Sequence, residues 1–362
     1  MDSFLNRMVN QQQLSQKSNQ LLTGEGVRES KTPKSTKPVI GMHKLLVLMI
    51  LILGMDSTAN GQNKFEFDLI VDNDLFTFAK DEDRYYSSGI FASFRKNVKP
   101  ESDLYKKLNR NEKLCNLIIG GRVSQWVFTP DILDFIDIFF QDRPFAGLAA
   151  VGMEVSIYKK NDLLISLRPD IGMVGPASGT SRIHTWWHKT LNLTTPTSWR
   201  FQIENRLLAN LKVELLKGVS VQEGKVDFVY ESKYELGTVF NNVRQGGIFR
   251  FGQLRPLHRS GYRNAALGNV DAENPRKKPV EYYFFIGMAA EYVFSNYTIE
   301  GNHPFKNISM PDNLVNWVFV AQSGFNVHWQ KLDLGWHFFF NTRENTRAVV
   351  HNWGRLRLTR RF

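Results

Sequence analysis

The sequence contains a single cysteine, Cys115, among its 362 residues. One cysteine cannot form an intramolecular disulfide, and it completes none of the paired-cysteine motifs that bind zinc or carry out redox chemistry. The chain also lacks any run of eighteen apolar residues, so we expect no helix to cross a bilayer. If the chain is embedded in a membrane, it must cross that membrane with strands.

The one compact apolar run, residues 45–54, lies near the N-terminus. It follows Lys44 and precedes small and polar residues that end at Gly61. A basic residue, a short apolar run and small residues, in that order, are typical of a secretory signal, and the run is too short to span a bilayer. We therefore predict a signal peptide at 42–61, with cleavage after Gly61.

Residues 1–41 are rich in Gln, Ser, Thr and Lys and have no apolar period, so they cannot form a core. We predict that they are disordered, or that they precede the true start at Met42. The alternative is a cytoplasmic tail before a single anchor, which the short apolar run disfavours. The folded domain is predicted to be residues 62–362.

The charge of residues 62–362 is positive, with 39 Lys and Arg against 31 Asp and Glu, a net +8. A positive charge can indicate nucleic-acid binding, but these cations are scattered among aromatic segments rather than clustered on one element. We therefore expect no nucleic-acid partner. A basic surface also suits a partner with many phosphates, such as lipopolysaccharide.

Alternating apolar and polar residues predict about twelve strands. They are expected at 64–71, 89–94, 115–128, 145–159, 162–174, 200–216, 226–240, 246–254, 281–296, 315–328, 331–341 and 350–361. An even number suits a single-chain bacterial barrel, and 301 residues allow about 25 for each strand with its connection. The predicted fold is an all-β, transmembrane, antiparallel up-and-down β-barrel. The alternative is a soluble sandwich or barrel, because alternation alone does not distinguish lipid-facing from core-facing residues.

The last predicted strand favours the membrane barrel. Leu356 and Leu358 alternate with polar residues, and the chain stops on the aromatic Phe362. This ending resembles the C-terminal signal by which outer-membrane barrels are recognised for insertion. The arginines of this strand are expected to face the lumen or an interface, because lipid-facing arginine is costly at mid-membrane. The predicted location is the outer membrane, and we expect the barrel to be a monomer.

The residues that could take part in catalysis or metal binding concentrate in three short stretches. The first runs from Asp72-Asn73-Asp74 to Arg84-Tyr85-Tyr86-Ser87-Ser88-Gly89, and the second is Gln141-Asp142-Arg143-Pro144-Phe145-Ala146-Gly147. The third contains Gly175-Pro176, Gly179, His184, His188, Trp199 and Gln202. Together they resemble the "NDN, DRYYTNG", "DRPYAGW" and "GP…G…H…W…Q" motifs of the outer-membrane lipid A 3'-O-deacylase family. All three occur in the family's order, between about 65 and 215.

The resemblance implies an ester hydrolase that removes the 3'-O-linked acyl or acyloxyacyl chain from lipid A. It implies that His188 is the general base, for which a histidine is suited because it exchanges protons near neutral pH. Asn73 and Asp74 would hold Ca²⁺, a hard cation that prefers oxygen donors, and the ion would polarise the ester. Ser87 would hold the attacking water or the ester. We expect His184 and Arg84 to contact the substrate.

Residue 184 departs from the family pattern, because better-known members carry Gln there. A short helix is predicted from a Ser178 cap through His188, which places His184 one turn from His188. Two such histidines could hold a transition metal, although no carboxylate lies between them as the zinc-protease motif requires. Residues 189–195 contain no acid that could be aligned as a further ligand.

The same residues also allow interpretations that involve no catalysis or a different one. Residues 72–74 could form an ordinary turn, since Asn and Asp bond their own backbone. For function, the alternatives are an outer-membrane phospholipase with a Ser nucleophile, or a non-enzymatic barrel that serves as a structural protein or a narrow pore.

Overall fold

The computed structural model describes residues 64–77, 84–111, 113–131, 141–191, 195–268, 280–301, 314–329 and 331–362. The predicted N-terminal extension and signal peptide lie outside these residues. All described residues belong to one compact unit, Gly41–Phe362.

Twelve antiparallel strands form a closed barrel, as predicted. They are β1 (Phe65–Asn73), β2 (Tyr85–Asn97), β3 (Leu114–Thr129), β4 (Ala146–Lys159), β5 (Leu163–Val174), β6 (Arg206–Gln222), β7 (Val226–Gly237), β8 (Phe240–Gln253), β9 (Glu281–Asn296), β10 (Trp317–Trp329), β11 (Leu332–Asn341) and β12 (His351–Arg361). Each strand pairs with its neighbours in sequence, and β12 pairs with β1 to close the sheet.

Two strand starts differ from the prediction. Tyr85–Ser88 were expected in a turn but form the start of β2, where they pair with the end of β3. The strand expected at 200–216 begins later, at Arg206, because residues 198–201 form a turn of 3₁₀ helix. Alternation alone does not show where pairing begins, since pairing depends on the neighbouring strand.

Polar and apolar residues are distributed oppositely to those of a soluble barrel. The outer wall exposes large apolar side chains on alternate residues, among them Val123, Val151, Met153, Ile171, Leu207, Met288 and Phe319. The inner face buries charged side chains, among them Glu66, Asp68, Arg95, Arg250, Arg357 and Arg361. An apolar outside and a polar inside are the pattern of a membrane-spanning barrel. The soluble alternative is therefore wrong.

In the described connections, three α-helices link strands. They are α1 (Asp103–Leu108) between β2 and β3, α2 (Thr180–Leu191) between β5 and β6, and α3 (Tyr297–Glu300) between β9 and β10. Helix α2 is the predicted short helix, but it begins at Thr180 and continues past His188. Ser178 lies in the preceding turn and accepts a hydrogen bond from the Thr180 N–H at 3.3 Å.

Within the described residues, no helix is both long enough and apolar enough to cross a membrane.

A row of ion pairs holds the seam between β1 and β12 on the lumen side. Three acids of β1 meet three arginines of β12, two of them directly opposite in the register and one on the diagonal. The pairs are Arg355 Nε with Asp72 Oδ1 (2.7 Å), Arg357 Nε with Asp68 Oδ1 (2.9 Å) and Arg361 Nε with Glu66 Oε2 (2.8 Å). These arginines therefore face the lumen, as expected from the cost of placing them against lipid.

A segment between β8 and β9, residues 257–268, folds into the lumen, and we call it the plug. It lies at the terminal rim, the end of the barrel at which β1 begins and β12 ends. Its contacts reach strands around the circumference: Gly261 N donates to Glu281 Oε2 (2.8 Å), Tyr262 Oη to Glu231 Oε1 (2.6 Å), Asn116 Nδ2 to the Ala265 carbonyl (3.3 Å) and Arg357 Nη1 to the Tyr262 carbonyl (3.1 Å). Tyr262, Ala265 and Leu267 are buried. The plug therefore fills the lumen at this end.

The opposite end, the distal rim, is tied together by Arg143. This fully buried side chain pairs through Nη1 with Glu344 Oε2 (3.4 Å) and donates from Nη2 to Thr298 Oγ1 (3.0 Å). Its guanidinium carbon lies 4.8 Å from the ring centroid of Phe128, whose side chain faces the lumen. The connection that carries Arg143 and the connection that carries Thr298 come from opposite sides of the barrel, so these contacts span its mouth.

We predict that the barrel does not conduct ions, because the plug and the Arg143 contacts obstruct its two ends. The wild type should give no current steps in planar lipid bilayers. A variant that lacks residues 257–267 and carries Arg143→Ala should pass ions, provided that its gel mobility shows a folded barrel. Regular steps from the wild type would contradict the prediction.

A second prediction concerns the seam. Arg355→Met leaves Asp72 buried without its cation, and breaking a buried ion pair on one side costs about 3–5 kcal/mol. Urea unfolding in vesicles, followed by tryptophan fluorescence, should show this loss. Adding Asp72→Asn to Arg355→Met removes the orphaned charge and should recover much of the stability. Equal stability of wild type and Arg355→Met would show that the seam does not depend on this pair.

Candidate functional site

The first predicted stretch folds back on itself at the distal rim. Asn73 is the last residue of β1, and its Nδ2 donates to the Ser87 carbonyl at 3.2 Å. Asp74 begins a short 3₁₀ turn, is fully buried, and accepts a hydrogen bond at Oδ2 from the Arg84 backbone N–H at 3.3 Å. The structure therefore brings Asn73, Asp74, Arg84 and Ser87 into one cluster. Residues 78–83 of this stretch lie outside the described residues.

A β-bulge orients Ser87. Tyr86 pairs with Phe128 and Ser88 with Val127, so Ser87 is an extra residue in β2. Nearby, Tyr85 has a φ of +56°, a left-handed backbone conformation that side chains other than glycine adopt at a cost. Bulges of this kind occur at barrel rims and next to active sites, where they redirect a side chain. Here the bulge turns Ser87 to the outer face, where its hydroxyl hydrogen-bonds the Thr129 hydroxyl.

Helix α2 packs directly on the outer wall over β3 and β4. Gly147 permits this close approach, because a Cβ at this position would lie 2.6 Å from Thr180 Cβ. The Thr180 hydroxyl donates to the Leu148 carbonyl at 3.1 Å and fixes the start of the helix to β4. Gly147 of the second stretch therefore has a structural role, because it lets the helix of the third stretch pack against the wall.

Both histidines of α2 face the barrel. His184 and His188 are 5% and 3% exposed, and their ring centroids are 4.2 Å apart in an edge-to-face arrangement. Trp199 donates from Nε1 to His184 Nδ1 at 3.1 Å. Because indole can only donate, this bond assigns the proton of a neutral His184 to Nε2. Trp199 thus fixes the ring of His184, and His184 in turn packs against His188.

The two halves of the site share one surface. Val127 of β3 packs with Phe145 and Trp199, and the rings of the latter two lie 5.0 Å apart. Val127 pairs with Ser88, and Thr129 on the same face contacts Ser87. The histidines and the Asn73–Ser87 cluster therefore lie on the outer face of β1–β4 at the distal rim.

Not every predicted site residue is in the same environment. The Arg84 guanidinium is paired with Asp131, with Nη1 and Oδ1 3.2 Å apart, so it is held toward the connection after β3. Sequence reasoning missed Thr129, because it belongs to none of the three motifs and lies one residue beyond the predicted end of its strand. No local signal marks it, since its role comes from the bulge in the neighbouring strand.

The cluster offers oxygen atoms of the kind that a hard cation binds. Asn73 contributes an amide, Asp74 a carboxylate and Ser87 a hydroxyl, a donor set that fits Ca²⁺. Across the part of the chain that the structure describes, no group of three or more His, Cys, Asp or Glu side chains is arranged to hold a metal ion. Calcium also accepts amide, hydroxyl and backbone oxygens, of which the cluster has several.

Comparisons with known proteins agree with this architecture. The model of the family described as "Outer membrane protein LpxR" matches residues 45–362. Among solved structures, the chain is similar to LpxR from Salmonella typhimurium, with 18% identity and a TM-score of 0.64 over 82% of this chain and 100% of that chain. At this identity the likeness shows the fold alone. No curated protein sequence matches the chain.

Two further structures are less similar. The translocator domain of the autotransporter NalP from Neisseria meningitidis has 11% identity and a TM-score of 0.39, over 89% of this chain and 95% of that chain. The transport unit of the autotransporter AIDA-I from Escherichia coli has 7% identity and a TM-score of 0.37, over 91% of this chain and 100% of that chain.

We predict that Gly147→Ala displaces α2 from the wall while the barrel stays folded, because the added methyl overlaps Thr180. Trypsin should then cleave faster at Arg182 and Lys189 than in the wild type. Gly121→Ala is a matched control, because a Cβ there would approach nothing closer than 3.9 Å. Unchanged cleavage of the Gly147 variant would mean that the helix does not depend on this contact.

Proposed function

Because the chain belongs to the LpxR family of outer-membrane proteins, we propose that it is an esterase that removes the 3'-O-linked acyl or acyloxyacyl chain from lipid A. The observation that carries this proposal is the position of the site. Two histidines and an Asn–Asp–Ser cluster lie at one rim on the outer side of the barrel wall, where the histidines are enclosed between α2 and the strands, and not in the lumen. Only a substrate that lies in the membrane plane has ready access to such a site.

The orientation of the barrel supports this assignment. Outer-membrane barrels have short turns on the periplasmic side and longer loops outside. Three of the five connections at the terminal rim have two or three residues, the exceptions being β2–β3 and the plug connection β8–β9, whereas at the distal rim only one of six, β7–β8, is that short and the connection with α2 covers residues 175–205. The distal rim is therefore the extracellular end, where lipopolysaccharide forms the outer leaflet.

In the proposed reaction, His188 removes a proton from a water molecule as the water oxygen attacks the ester carbonyl carbon. The bond between that carbon and the sugar 3' oxygen then breaks, and the proton returns from His188 to the leaving oxygen. The products are a fatty acid and a free 3' hydroxyl. General base catalysis of this kind contributes about 10²–10⁴-fold to the rate. His184, held by Trp199, positions the His188 ring.

Asn73 and Asp74 are the residues that would hold the calcium ion, which when bound would supply positive charge for the developing oxyanion. Ser87 would place its hydroxyl toward the attacking water or the ester, with Thr129 fixing its rotamer. Arg84 and His184 stay predicted substrate contacts.

The competing functions are less well supported. A phospholipase with a Ser nucleophile needs a base next to the hydroxyl, whereas the Ser87 hydroxyl bonds the Thr129 hydroxyl, which cannot serve as a base. A pore needs an open lumen, and the plug occupies it. We therefore favour the deacylase.

The proposal predicts that cells expressing the wild type lose the 3'-linked acyl mass from lipid A, as measured by mass spectrometry. His188→Ala should reduce the rate by about 10²–10⁴-fold, since the neighbouring His184 accepts a hydrogen bond from Trp199 at Nδ1 and carries its proton on Nε2. Ser88→Ala, one residue from Ser87 and outside the cluster, is the control and should remain active. Chelation should abolish the loss, and Ca²⁺ should restore it with wild type, but with Asp74→Ala only at higher concentration.

Unchanged lipid A with correctly inserted wild type would refute the deacylase and favour a structural barrel. Release of fatty acid from glycerophospholipid instead would favour the phospholipase. Equal activity with and without chelator would refute the calcium role but leave that of His188 intact.

A further inference from the structure

The face of α2 that points away from the barrel is both apolar and cationic. Ile183 is 48% and Trp186 60% exposed, although the histidines between and beyond them are buried. Arg182 and Lys189 on the same side are exposed too. Tryptophan and aliphatic side chains flanked by Arg and Lys are typical of helices that lie in the interface of a membrane. The same helix thus buries its histidines against the wall and leaves an amphipathic face uncovered.

The charge of the whole connection matches an anionic surface. In the described part of residues 175–206, the exposed cations are Arg182, Lys189, Arg200 and Arg206, and the one acid is Glu204, which is half-buried. Arg200 and Arg206 each lie over an aromatic ring, at 4.5 Å from the centroids of Phe201 and Tyr297 respectively. Cations with aromatic neighbours suit the boundary between phosphate groups and acyl chains.

The amphipathic face is continuous with the lipid-facing wall. The helix is fixed at Leu148, which pairs with Val174 at the end of β5. Met173 precedes Val174 and so lies one residue farther from the end of β5. It pairs with Leu207, whose side chain is exposed on the outer wall. Helix α2 therefore begins about one strand residue, about 3 Å, beyond an exposed apolar residue of the outer wall.

We propose that the outer face of α2 is a lipid-binding surface that docks into the outer leaflet. Ile183 and Trp186 enter the acyl layer, and Arg182 and Lys189 bind phosphate groups of the surrounding lipid. A protein partner fits less well, because the cores of protein interfaces are depleted in charged residues, and here cations lie on both sides of the apolar pair.

Docking would also bring lipid close to the helix that carries the histidines, a consequence that rests on the proposed function. His184 and His188 lie on the opposite side of the helix, about 10 Å across. A lipid drawn to Arg182 and Lys189 would have its ester within one helix diameter of His188. Helix α2 would then serve as the wall of the site and as its anchor in the leaflet.

Site-directed spin labelling tests the depth of this face directly. The chain has one cysteine, so Cys115→Ser gives a cysteine-free background. Nitroxides are placed in turn at Ile183→Cys and Trp186→Cys, with Val151→Cys as the lipid-facing control and Lys107→Cys on α1 as the aqueous control. The labelled barrels are reconstituted in phosphatidylcholine vesicles with and without phosphatidic acid. Collision with oxygen reports lipid exposure, and collision with a nickel chelate reports water exposure.

We expect oxygen-to-nickel ratios at 183 and 186 several-fold above that at 107 and approaching that at 151, and higher with phosphatidic acid than without. Adding Arg182→Gln and Lys189→Gln should remove the effect of phosphatidic acid. Ratios equal to that at 107 would overturn the proposal. So would spin–spin broadening between chains at 183, because it would show a second copy on this face.

The labelling needs no catalysis, so it fails independently of the deacylase. Lipid exposure at 183 and 186 together with unchanged lipid A would refute the proposed function and support the docking surface. Deacylation of lipid A with both labels exposed to water would support the proposed function and refute the docking surface.

Discussion

The fold depends on the pairing of charges along the seam between β1 and β12. A barrel exists only if its first and last strands join. These strands place Glu66 and Asp72 opposite arginines of β12 and Asp68 within reach of Arg357 on the diagonal. Each acid would be costly inside the wall without its cation. Side chains alternate with a period of two, so a slip of one residue would turn every charge toward lipid. The ion pairs therefore fix both closure and register.

The site inherits its geometry from this register. Asn73 is opposite Gly354 of β12 and Ser88 of β2, so closing the seam also sets the end of β1 against the start of β2. The bulge at Ser87 and the lack of a side chain at Gly147 then adapt the wall locally. The bulge brings the Ser87 hydroxyl to the outer face, and Gly147 allows α2 to pack against the wall. The reactive groups come to lie on the outside of a barrel whose inside is packed.

The interior of the barrel is packed, and the proposed site lies outside it. The plug and Arg143 occupy the two ends of the lumen, and the charges inside it pair with one another. The barrel is then a rigid support that holds Asn73, Ser87 and the histidines on the outer side of the wall at the distal rim. Precision of this kind is easier on strands than on loops, because paired strands restrict the backbone.

The sequence by itself predicted about twelve strands, a β12 whose arginines face the lumen or an interface, and the three stretches proposed as the site. These are local properties: alternation records which face is buried, and motifs record side chains that are close in the chain. Only the tertiary structure decided that Trp199 fixes His184, that Thr129 bonds Ser87, and that residues 257–268 fill the lumen. These contacts join residues from 15 to more than 90 positions apart. Neither partner carries a periodic signal for the other, since their proximity exists only once the sheet has closed.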